Sequence, residues 1–279
     1  MPYFTTPDGV QLHYKDWGQG RPVLLLHGWL QSADSWDEVA MALADNGFRT
    51  LSVDRRGHGR SEQPWTGYDY STLSDDLAAL MTQKDLQQAV LVGQGMGAGE
   101  VLRYLSRHDS LSAVPRVQQV VLVGGAVPCL LQGDGQPWGF RLAEWEQMRD
   151  QLRLNRLGFV EQYLRTVHAG RWRQRSTLES LLHWSLLQAL QASPRAALET
   201  LDTWVATDLR ADLLRLQQPV LLIHGSADRT VPLAWTAGAV LAQLPQARLR
   251  RYEGAAHGLL VSHRNRVVAD LLQFLRYGF

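Results

Sequence analysis

The chain has 279 residues, 45% hydrophobic and 20% charged, with a formal net charge of +1 at pH 7. That length is enough for a large core, as one elaborated domain or two, and the balanced charge argues against an electrostatic nucleic-acid binder. Cys129 is the single cysteine, so an intramolecular disulfide and a cysteine-based zinc site are excluded and a reducing compartment is expected.

The N-terminal "MPYFTTPDGVQLHY" lacks the charged start and apolar block of a secretory signal. No stretch approaches the roughly 18 apolar residues of a membrane span. A cytoplasmic location is expected by default.

Short β-rich runs begin at Val10 ("VQLHYKDW"), Pro22 ("PVLLLHG"), Phe48 ("FRTLSVD"), Ala89 ("AVLVG"), Val117 ("VQQVVLVGG"), Pro219 ("PVLLIHG") and Ala247 ("ARLRRYEG"). The apolar ones are near-continuous rather than alternating, as in parallel strands buried on both faces. Helical patterns fall between them: "SWDEVAMALADNG" with Gly47 as a stop, "YSTLSDDLAALMTQ", and "GEVLRYLSRH". The alternation predicts an α/β protein, a mostly parallel central sheet with helices on both faces. From Pro128 to Gln217 the rhythm breaks into helical periodicity bearing Trp138, Trp145, Trp172, Trp184 and Trp204. The expected organisation is a core of residues 1–127 plus 218–279, with residues 128–217 inserted as a helical cap. The Arg-rich "RWRQRS" from Arg171 reads as a solvated face rather than a phosphate patch.

"AVLVGQGMGAGEVLRYL" (Ala89–Leu105) runs from strand through glycines into helix. Gly93, Gly95 and Ala98 match G-x-G-x-x-A, the turn that seats a dinucleotide pyrophosphate. That turn normally follows the first strand of its unit, with an acid about 20 residues on; here it follows about the fourth predicted strand, with no acid suitably placed. Gly93, Gly95 and Gly97 instead frame a nucleophile elbow, G-x-S-x-G, with glycine in place of serine. An elbow needs small flanking residues, an oxyanion donor from the loop after an earlier strand, then an acid and a histidine in that order. "LLLHGWLQS" puts His27-Gly28-Trp29 in such a loop, "LLIHGSADRTVP" exposes Asp228 and "YEGAAHGLL" exposes His257, each at a strand's C-terminal end. The elbow reading is preferred. In "VDRRGHGRSEQP", Arg55, Arg56 and His58 read as braces of a glycine-rich loop.

These stretches, with "TTPDGVQLHYKDWGQGRPVLLLHGW", "ADSWDEVAMALADNGFRTLSVDRRGHGRSEQPW" and "GAAHGLLVSHRNRVVADLLQFL", resemble the α/β-hydrolase superfamily and, within it, the cofactor-free haloperoxidase, perhydrolase and arylesterase group. The resemblance implies the α/β-hydrolase fold and acyl transfer from a small carboxylic ester to water, or to hydrogen peroxide. It implies His257 as base, Asp228 as its orienting partner, and the backbone amides of Trp29 and Met96 as the oxyanion hole. No metal or organic cofactor is implied. The partner implied is a small-molecule ester, with no nucleic acid or membrane; oligomeric state, a homo-oligomer included, stays open. Substrate-binding residues are unknown, although the cap tryptophans suggest an apolar or aromatic acyl group.

The nucleophile position falls on Gly95, which has no atom to form an acyl-enzyme. Gln94 stands where the family often has histidine or phenylalanine. Haloalkane dehalogenases, which look like relatives, carry aspartate at the elbow, and their chemistry is excluded. Three readings stay open. The chain is an inactivated, substrate-trapping form of a serine esterase; or a ligand-binding homologue without turnover; or an enzyme using a non-serine route, with water activated by His257. Cys129 is a weaker candidate for such a route, a buried structural thiol being preferred.

Overall fold

A computed structural model describes residues 2–110, 114–134, 136–169 and 175–278. Eight strands form one sheet: β1 (Tyr3–Thr5), β2 (Gln11–Trp17), β3 (Arg21–Leu26), β4 (Phe48–Val53), β5 (Ala89–Gln94), β6 (Val117–Val123), β7 (Val220–Gly225) and β8 (Arg248–Tyr252). Their order is β1-β2-β4-β3-β5-β6-β7-β8. β1 and β2 pair antiparallel, as do β2 and β4, and every pairing from β4 to β8 is parallel. The expected mostly parallel sheet with helices on both faces is what the chain forms.

The continuous apolar runs have a direct cause. Leu24, Leu26, Leu91, Val120 and Leu122 pack on one face. Val23, Leu25, Val90, Val92, Val121 and Val123, alternating with them, pack on the other. With both faces covered, the central positions of these strands are apolar on either side, and the period-2 signal vanishes from the sequence. Each such side chain contributes roughly 1.5–3 kcal/mol by leaving water.

Helices α1 (Asp37–Asp45), α2 (Tyr70–Gln83) and α3 (Gly97–Tyr104) fill the crossovers between β3 and β6. Between β6 and β7 run α4 (Leu142–Leu154), α5 (Arg156–Val167), α6 (Arg175–Gln191), α7 (Pro194–Ala206) and α8 (Arg210–Leu213). After β7 come α9 (Ala237–Gln243), then α10 (Leu259–Ser262) and α11 (Arg264–Tyr277) behind β8. Val39, Ala40 and Leu43 of α1 and Val267, Leu271 and Phe274 of α11 close one face of the sheet. The other is closed by α2 and α3, and the same core continues into Leu152, Val160, Leu164, Leu201 and Trp204.

Several local readings change. β1, three residues before a Thr-Pro-Asp-Gly turn, is too short to show a period, so the elbow follows the fifth strand rather than the fourth. The helix read through His108 leaves α geometry at Leu105, where a π-turn spans Leu105–Asp109 and Ser110 N–H donates to Leu105 O at 2.8 Å. The segment after β6 is not wholly helical, since Leu131 bridges Phe140 and Gly133 bridges Gln136. "RWRQRS" falls largely, and Trp172 wholly, outside the described residues. Among the described residues no helix is long and apolar enough to cross a membrane.

Candidate active site

Parallel pairing brings the ends of β3, β5, β6, β7 and β8 together. Leu26 of β3 is level with Gly93 of β5, Gln94 with Val123 of β6, Val123 with Ile223 of β7, and Gly225 of β7 with Tyr252 of β8. The loops that leave these ends carry Trp29, Gly95, Asp228 and His257. Loops at the C-terminal edge of a parallel sheet form the usual ligand crevice.

The elbow is built from steric necessity. A Cβ at Gly93 would lie 2.5 Å from Gly97 O, and one at Gly97 would lie 2.6 Å from Leu26 O, so neither position admits a side chain. Gly95 itself has φ +52°, the left-handed region that costs other residues about 1–3 kcal/mol. Its N–H donates to Val123 O at 3.1 Å and its carbonyl accepts from Ala126 N–H at 3.0 Å, which pins the turn to the end of β6. A Cβ at position 95 would sit 3.2 Å from His257 Nε2 and 3.7 Å from Gly28 Cα. The elbow therefore aims its side-chain direction at the histidine, past the oxyanion loop.

His257 Nδ1 lies 2.7 Å from Asp228 Oδ2, both residues buried. Since the carboxylate only accepts, Nδ1 carries a proton, and the tautomer this selects for the neutral ring leaves the Nε2 lone pair facing the elbow. Asp228 Oδ1 accepts from the N–H groups of Thr230 at 2.8 Å and Val231 at 2.9 Å. His224, to which the sequence reading gave no role, lies with Nε2 2.9 Å from Val231 O and 3.4 Å from Asp228 Oδ2. Burial raises the Asp228 pKa, but the charge of His257 and the hydrogen bonds of His224 and His257 outweigh it. The carboxyl stays ionised well below the usual range.

Among the described residues the backbone N–H groups of Trp29 and Met96 have no acceptor. Their loops are tied together underneath. Arg55 donates through Nε to Glu100 Oε1 of α3 at 2.6 Å and through Nη2 to His27 O at 2.7 Å. His27 donates through Nδ1 to Gly28 O at 2.8 Å and accepts Arg55 N–H at Nε2. Burial, then the Arg55 charge, keeps His27 neutral. Arg56 pairs with Asp76 and Asp8, and His58 Nδ1 donates to Arg56 O at 3.0 Å, so all three brace their loop.

Beside the elbow a cavity of about 520 Å³ is lined by Trp29, Phe159, Tyr163, Trp204, Arg229 and Thr230 among others. Gly95 and His257 are not in its wall; Trp29 joins the two. The Trp29 and Trp204 rings stack at 5.6 Å, with Tyr163 edge-on to both. Among the described tryptophans between β6 and β7, only Trp204 lines this cavity. Trp138 and Trp184 are exposed, and Trp145 packs against the core. Phe159 and Tyr163, spaced i and i+4 on α5, carried no signal that separated lining from packing. Cys129 is buried outside the cavity wall, its Sγ donating to Leu131 O, and burial pushes its thiol up. Among the described residues no group of three or more His, Cys, Asp or Glu is placed to hold a metal ion.

Residues 21–263 match the family model of the alpha/beta hydrolase fold. The chain is 38% identical to a non-heme chloroperoxidase of Streptomyces lividans, covering 99% of this chain and all of that one. It is 32% identical to a bifunctional esterase/perhydrolase of Acinetobacter calcoaceticus, over 99% of this chain and 100% of the relative. The crystal structure of a bromoperoxidase from Bacillus anthracis superposes with a TM-score of 0.92 at 33% identity, covering 99% and 100% of the two chains. With a sheet of this order, an elbow of this shape and relatives matched end to end, the chain belongs to the α/β-hydrolase fold family, in the group of the non-heme haloperoxidases and perhydrolases.

Proposed function

We propose that the chain hydrolyses small carboxylic esters by direct attack of water, with His257 as general base. The ester class is supported by a relative named as an esterase/perhydrolase. The observation that carries the mechanism is the 3.2 Å between a Cβ position at residue 95 and His257 Nε2. With glycine there, a water molecule fits at hydrogen-bonding range of the base, on the line where the family's serine hydroxymethyl would stand.

In the first step the water oxygen bonds to the ester carbonyl carbon while its proton passes to His257 Nε2. The Nδ1–H bond to ionised Asp228 stabilises the imidazolium. The carbonyl oxygen, now negative, is received by the amides of Trp29 and Met96, where each donor contributes about 3 kcal/mol. In the second step the bond to the alcohol oxygen breaks and His257 returns the proton to the leaving group. Carboxylic acid and alcohol leave, and His257 is neutral again. Hydrogen peroxide in place of water gives a peracid by the same steps. No acyl-enzyme forms, since position 95 has no nucleophile.

Hydrolysis of a short aryl acetate tests this. The protein as it stands should release phenol slowly, without a burst and without an acyl adduct by intact mass. His257→Ala and Gly95→Ala, the second placing a methyl where the water sits, should each lower the rate at least tenfold. Gly95→Ser should raise it and accumulate the adduct. A rate indifferent to His257→Ala overturns the mechanism; ligand-dependent thermal stabilisation without product makes the chain a binder.

A further inference from the structure

We propose that the cavity beside Trp29 selects ligands with an apolar body ending in a carboxylate, and that Arg229 receives that carboxylate. As a statement about substrates this rests on the ester-hydrolase reading above; as a statement about binding it rests on the cavity alone.

The cavity walls are mainly apolar, and the polar members Gln151, Asn155, Gln162, Thr166 and Thr230 are neutral. Among the described residues Arg229 is the one charged member of the lining. It is exposed, and among the described residues no carboxylate pairs with it. Arg149 and Arg210, between β6 and β7, are by contrast ion-paired, with Asp202 at 3.0 Å and Asp208 at 2.6 Å. At about 520 Å³ the volume exceeds what a short acyl group fills and suits an arylalkyl or medium-chain body.

The backbone at Arg229 is held in place. It lies between Asp228 and Thr230, in the turn where Thr230 and Val231 N–H groups grip the Asp228 carboxylate. The guanidinium therefore starts from a fixed point one residue from the acid, at the wall shared with Thr230. The Asp228 charge does not compete for it, since that carboxylate is already bound by two backbone amides and His257. A carboxylate arriving over an apolar wall meets a planar donor fork that takes both its oxygens. At such a lip the attraction is stronger than in open water, because the wall lowers the local dielectric. A neutral ligand gains nothing there, and a cationic one is repelled.

Calorimetry on the full chain compares 4-phenylbutyrate with its neutral analogue 4-phenylbutyramide, which needs no turnover. The carboxylate should bind at least tenfold more tightly, with a gap that narrows as salt rises. Arg229→Gln should close the gap to less than twofold, and Arg229→Lys should restore part of it. In parallel, the ratio of kcat/KM for monomethyl suberate over methyl octanoate should fall at least tenfold in Arg229→Gln. Equal binding of the two probes, no binding of either, or a preference that survives Arg229→Gln overturns the proposal. If the binding preference holds and neither ester turns over, the ester-hydrolase reading fails and the carboxylate site stands.

Discussion

The indole N–H of Trp29 donates to the hydroxyl of Thr200 at 3.1 Å and approaches Ala197 O at 3.3 Å. Through these bonds α7, in the segment between β6 and β7, holds the side chain of the residue whose backbone N–H is proposed for the oxyanion. The next residue, Leu30, sits at φ +57°. A non-glycine residue keeps that conformation only where its surroundings impose it.

Thr200→Val keeps the volume and removes the acceptor. It should lower stability by about 1 kcal/mol and lower kcat on an aryl acetate by roughly 3–10-fold, out of proportion to any loss in stability. KM should change little, and Thr200→Ser should restore both quantities. Urea unfolding with steady-state kinetics measures this; a stability loss with kcat intact would leave Thr200 a purely structural contact.

The Arg55–Glu100 pair beneath the elbow is buried at both ends. Burial pushes the Glu100 carboxyl up, partly offset by Arg55. Removing one partner leaves the other charge uncompensated, so Glu100→Leu should cost about 3–5 kcal/mol, while Arg55→Met with Glu100→Leu should recover much of that. The readout is the urea midpoint at constant m-value. A single variant as stable as the parent would mean that Arg55 is satisfied by the carbonyls of His27 and Gly28 alone.

His168, buried with Nε2 3.0 Å from Ser185 Oγ, has its pKa lowered from 6.5 to about 4, by burial first and then by the charge of His257. Below pH 6.5 the unfolded chain takes up a proton there that the folded chain refuses. Folding stability is therefore whole above 6.5 and falls as pH drops through about 4, by at most about 1.4 kcal/mol per pH unit from this residue. His168→Gln should flatten the decline of the urea midpoint between pH 6.5 and 4. His58, lowered to about 3, acts in the same sense in both proteins, so the difference between them isolates His168. Parallel curves would show that His168 titrates alike in the folded and unfolded chain.

The fold was legible because its signals are local. A strand buried on both faces reads as an unbroken apolar run, as in "PVLLLHG" and "AVLVG". α2 was bounded correctly because Asp69 caps it and its side chain accepts from Ser71 and Thr72 N–H. The elbow was legible because Gly93 and Gly97 are steric requirements and leave no choice of residue. β1 was missed because three residues cannot show a period. The turn at Leu105 was missed because the change from α to π geometry alters hydrogen bonds without altering the pattern of apolar side chains. Arg55 could be read as a brace, but its partners could not be named, since Glu100 and His27 lie on other elements.

The same boundary divides the candidate site. By itself the sequence determined the order elbow, acid, histidine, and the absence of any nucleophilic atom at Gly95; both are properties of position along the chain. Only the tertiary structure decided that the side-chain direction of residue 95 meets His257 Nε2, that His224 backs Asp228, and that Trp29, Trp204 and Tyr163 form one wall with Arg229 beside them. Those relations join residues up to 200 positions apart, from Trp29 to Arg229. Contacts of that kind are set by how helices pack over a sheet, because packing depends on shape and volume in three dimensions and leaves no period in the chain to read.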